Sequence, residues 1–100
     1  MARRQFQDAF PDVFFGSETK DFGSLADKAE AVEDVTVTGA ALGDFALVSL
    51  GVDTVDLTLT ASVTAANVVT CVINNTSGGT VDLASSTLKV CVLSPRADLF

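Results

Sequence analysis

The residues whose types could do chemistry are Cys71 and Cys91, the aspartates Asp44, Asp53, Asp56 and Asp82, and the run "NNTSGG" at 74–79. A nucleophilic thiolate wants a neighbouring base, most often histidine. The chain has no histidine, no tryptophan and no tyrosine. The two cysteines stand far apart with no C-x-x-C pair, so a zinc site lacks ligands. Paired carboxylates do acid–base work in glycosidases, and clustered ones hold Ca²⁺. Here the aspartates fall at turns or strand ends, where a carboxylate ordinarily accepts nearby backbone N–H groups. The D-x-[DN]-x-[DN]-G loop is absent, and no lysine follows Gly78 and Gly79 to make a phosphate cradle. Asn74 and Asn75 each fit N-x-[ST], but nothing in the start "MARRQFQDAF" reads as a secretory leader. The sequons are expected to stay bare and the run to be a strand end with its turn. The expectation is therefore no enzyme, no metal and no cofactor.

Something must position even a non-catalytic surface, and composition says what. The chain has 100 residues, a net charge of −7, and its six Lys and Arg scattered at Arg3, Arg4, Lys20, Lys28, Lys89 and Arg96. One domain is expected, with no nucleic-acid partner and no membrane. Residues 1–33 hold five of the seven phenylalanines and many charges. Residues 35–93 are dominated by Val, Thr, Leu, Ala, Ser and Gly, the vocabulary of strands and turns, and an antiparallel β-domain is expected over 34–100.

Period-2 alternation is plain in the second part. "DLTLTASVT" sets Leu57, Leu59, Ala61 and Val63 against Thr58, Thr60, Ser62 and Thr64. "NVVTCVIN" sets Val69, Cys71 and Ile73 against Val68, Thr70 and Val72, and "TLKVCVL" sets Leu88, Val90 and Val92 against Lys89, Cys91 and Leu93. Strands are expected near 35–38, 45–50, 55–64, 68–74, 80–83 and 87–93. This spacing predicts an all-β fold, an antiparallel β-sandwich or jelly-roll-like domain. Leu57, Leu59, Val63, Val69, Cys71, Ile73, Val90 and Val92 are its expected core or oligomer contacts. Cys71 reads as a small buried hydrophobe. A Cys71–Cys91 disulfide requires their strands to pair; in a reducing compartment both thiols are expected free.

The first 33 residues read as an extended N-terminal arm or linker, with "SLADKAEAVED" alternatively a short helix. In "QFQDAFPDVFFG", Pro11 and Gly16 argue against regular structure. Phe6, Phe10, Phe14, Phe15 and Phe22 still demand burial. Either the arm completes the domain's own core or, the preferred expectation, it docks on another chain with Arg3 and Arg4. Removing residues 1–23 is then expected to leave a folded β-domain.

"VTVTGAALGDFALVSL" and "LTLTASVTAANVVTCVINNTSGGTVDLASSTLKVCV" resemble a small β-domain common in virion proteins of tailed bacteriophages, including those of cyanobacteria. The likeness covers about residues 34–93. Its most specific parts are Gly39–Asp44, Ala65–Thr70 and Asp82–Thr87. Thr38 stands where the family often has proline, and Cys71 and Cys91 stand at variable positions. The resemblance implies a compact trimeric β-domain, similar to capsid decoration or cement proteins and to knobs on fibres. The expected function is a decoration protein that binds and stabilises the major capsid protein shell as a homotrimer. It would be made in the host cytoplasm and end on the capsid surface of the virion. The arm residues Arg3, Arg4, Phe6, Phe10, Phe14, Phe15 and Phe22 would make the shell contacts. A tail, neck or fibre-associated β-domain and a carbohydrate-binding module are the alternatives.

Overall fold

The computed structural model describes residues 8–96 and 98. Eight strands run in chain order: β1 (Asp12–Lys20), β2 (Ser24–Leu25), β3 (Glu30–Thr36), β4 (Phe45–Leu50), β5 (Leu57–Ala65), β6 (Val68–Asn75), β7 (Val81–Asp82) and β8 (Ser86–Ser94). They form two three-stranded sheets, β1–β8–β4 and β3–β6–β5, with a two-stranded β2–β7 ribbon. Every pairing is antiparallel. The fold is thus all-β and sandwich-like, as the alternation predicts.

The inward residues of the two sheets make one core. Val35, Val69, Cys71, Ile73, Leu88 and Val92 are fully buried there. Leu57, Val63 and Val90 are buried beside them, and Leu59 packs against the cluster half-buried. The expected inward set is therefore inward. At the sides of the sandwich β1 runs beside β3 and β4 beside β5. The first of these seams is closed by side chains. Glu18 accepts from the Thr36 N–H at 3.2 Å, and Lys20 lies 3.5 Å from Glu33. Gly16 permits the approach, since a Cβ there would lie 2.6 Å from the Thr36 carbonyl oxygen.

The structure differs from the sequence expectation between residues 12 and 33. β1 pairs with β8 over its whole length, from Asp12 opposite Ser94 to Lys20 opposite Ser86. "SLADKAEAVED" is neither helix nor linker but β2, a turn and most of β3. Phe22 is buried and Phe14 packs against the core. The expected boundary at 33/34 therefore cuts through β3, and paired structure starts at Asp12. Adjacent Phe14 and Phe15 make both faces of β1 apolar, which erases the alternation. Charges at Lys20 and Glu33 fall in inward phase because they bridge an edge. Arg3, Arg4 and Phe6 lie outside the described residues.

The "NNTSGG" run is architecture. Asn75 is fully buried, and its side-chain amide donates to the carbonyls of Leu25, Ala26 and Gly79 at 2.8, 3.1 and 2.7 Å. Its oxygen accepts from Ser77 N–H and from Ser77 Oγ. A folded chain offers no access to that sequon. At the opposite end Asn67, at φ 65°, joins two loops. It donates to the Ala40 carbonyl and accepts from the Val37 and Gly39 N–H groups, each at 2.9 Å. Two of the resemblance-bearing pieces, 39–44 and 65–70, thus meet in one knot.

Cys71 points into the core from β6, while Cys91 is on the other sheet; both are free. Burial first, then the charge of Asp34, pushes the Cys71 thiol from 9.0 up to about 11, against a smaller opposing effect of Lys20. The neutral thiol is favoured in the folded state. Its contribution is whole below pH 9 and is lost as pH rises toward 11, on the order of 2 kcal/mol. Urea unfolding at about pH 8 and about pH 10.5 should show this loss, and Cys71→Ala should flatten it. An unchanged slope in that variant would place the alkaline loss elsewhere.

Candidate functional site: the outer face of the β1–β8–β4 sheet

Because side chains alternate along a strand, each sheet has a core face and an outward face. On β8 the inward residues are Leu88, Val90 and Val92, which leaves Thr87, Lys89, Cys91 and Leu93 outward. Register then fixes their neighbours. Val13, Leu93 and Phe45 form one row across the sheet, and Phe15, Cys91 and Leu47 the next. Ser17, Lys89 and Ser49 form the third, and Thr19 with Thr87 the last. Two apolar rows thus sit beside two polar ones.

The apolar rows are open to solvent. Phe15 is 75% exposed, Leu47 58%, Phe45 46% and Val13 37%. A groove of about 190 Å³ lies over Cys91 between Phe15 and Leu47, with Lys89 and Ser49 at its polar end. A second, of about 530 Å³, runs along Phe15, Ser17, Thr87 and Lys89. Phe10 adds its ring at the apolar end, edge-on to Phe45 with centroids 6.0 Å apart.

The other outward face is different in kind. Its rows are Thr58–Asn74–Glu30, Thr60–Val72–Val32 and Ser62–Thr70–Asp34. Thr70 donates to the Asp34 carboxylate at 2.8 Å and shares a 2.7 Å hydroxyl contact with Thr64. This surface is mostly hydroxylated and acidic, with one apolar pair, Val72 and the 52% exposed Val32, in its middle row. Single exposed apolar residues are normal, whereas adjoining rows of them mark interaction sites.

Two of the aspartates singled out from sequence, Asp44 and Asp53, do local work. Asp44 accepts from the Ala41 N–H at 3.0 Å and Asp53 from the Val55 N–H at 2.9 Å. Among the described residues no three His, Cys, Asp or Glu gather as a metal-holding group.

The expected arm residues separate into two sets. Phe14 and Phe22 face the core, whereas Phe10 and Phe15 lie on the exposed face. Val13, Phe45, Leu47, Lys89, Cys91 and Leu93 complete that face; sequence reading weighs Cys91 as a thiol and assigns none of the six to an interaction surface. The available clue was "DFALVSL", in which Phe45 and Leu47 alternate with Ala46, Val48 and Leu50, so neither side is polar. No protein-family model, curated protein or solved structure matches the chain.

Proposed function

We propose that this chain is a structural protein of a virus particle, a capsid decoration protein of a tailed bacteriophage that binds the major capsid protein shell as a homo-oligomer. The observation that carries an assembly role is the exposed apolar face of the β1–β8–β4 sheet. An assembly protein needs a surface for its own copies and a contact for the shell. The resemblance of residues 34–93 to phage virion β-domains supplies the particle and the trimeric stoichiometry. With Phe14 and Phe22 in the core, the shell-contacting arm reduces to residues 1–11, with Arg3, Arg4, Phe6 and Phe10.

Purified chain should bind shells that lack it. A chain without residues 1–11 should melt cooperatively yet lose binding by about tenfold or more, since one buried phenylalanine contributes roughly 1.5–3 kcal/mol. Full occupancy by the truncated chain would remove the arm from the contact.

A carbohydrate-binding module is the second reading, favoured by Phe15. Its exposed ring beside Ser17, Thr87 and Lys89 has the make-up of a sugar platform. Calorimetric binding of a soluble oligosaccharide, abolished by Phe15→Ala, would establish that reading in place of the first.

A further inference from the structure

We draw no further inference here: the strongest candidate, the surface patch of apolar rows Val13–Leu93–Phe45 and Phe15–Cys91–Leu47 on the outer face of the β1–β8–β4 sheet, belongs to the site already described, and nothing in the structure shows what covers it.

Discussion

A chain lacking residues 1–23 is expected not to fold. β1 contributes the full ladder to one side of β8, from Asp12 opposite Ser94 to Lys20 opposite Ser86. Without it β8 becomes an edge strand, and one side of Leu88, Val90 and Val92 opens to water. Phe22 and the half-buried Phe14 leave the core as well. Full burial of each such ring contributes roughly 1.5–3 kcal/mol. A domain of this size has about 5–15 kcal/mol in total. The loss of both rings, the ladder and the Glu18–Thr36 seam bond is of the same order. Removal of residues 1–11 alone should leave the thermal transition nearly unchanged. Far-UV circular dichroism with a heat melt separates the two truncations. A cooperative transition in the shorter chain would return residues 12–23 to the role of an arm.

The second large effect is expected at Asn75. Its side chain holds the β2 end and the 75–79 turn to β6 through Leu25, Ala26 and Gly79 carbonyls and through Ser77. Asn75→Leu keeps the volume near but removes the donor to the Leu25 and Ala26 carbonyls and the acceptor for Ser77, while the Gly79 carbonyl keeps Ser77 Oγ at 3.0 Å. An unsatisfied buried group costs about 1–3 kcal/mol, so a loss of about 3–5 kcal/mol is expected from the set. Asn75→Asp should also destabilise, because an acceptor then faces three carbonyls. Asn74→Leu, one residue earlier and half-exposed, is the control, with an effect within about 1 kcal/mol. Urea denaturation gives all three values. Equal losses at 74 and 75 would show that the network is not what holds this corner.

The sandwich was legible wherever one strand face was apolar and the other polar. β5 is the clear case, with Leu57 and Val63 inward and Thr58, Thr60 and Ser62 outward. β4 was bounded correctly at 45–50, and β6 and β8 to within a residue at each end. β1 was hidden, and of β3 only its end at Val35 and Thr36 falls in the strand expected near 35–38, for opposite reasons. In β1, Phe14 and Phe15 are both large, one half-buried and one exposed, so no period appears. In β3, Glu30, Glu33 and Asp34 mask the inward Ala31 and Val35. Pro11 suggests a break, but it lies just before β1, where proline is tolerated.

The surface was harder still. "NVVTCVIN" has valines on both sides, yet outward Val68 and Val72 of β6 are half-covered in the middle strand of their sheet. The open apolar rows belong to β1 and β4, the strands flanking β8. Which of two apolar-faced strands ends up exposed depends on strand order. Strand order comes from long-range pairing, here 12–20 with 86–94, that no local pattern encodes.

The most direct test of the proposal that this chain decorates a phage capsid is whether, and where, it sits in intact phage particles. Averaged electron cryo-microscopy should show the β-sandwich at icosahedrally repeated sites on the outside of the shell. Residues 1–11 should be turned towards the shell. Density confined to the tail, neck or fibres, or a shell complete without this chain, would contradict it.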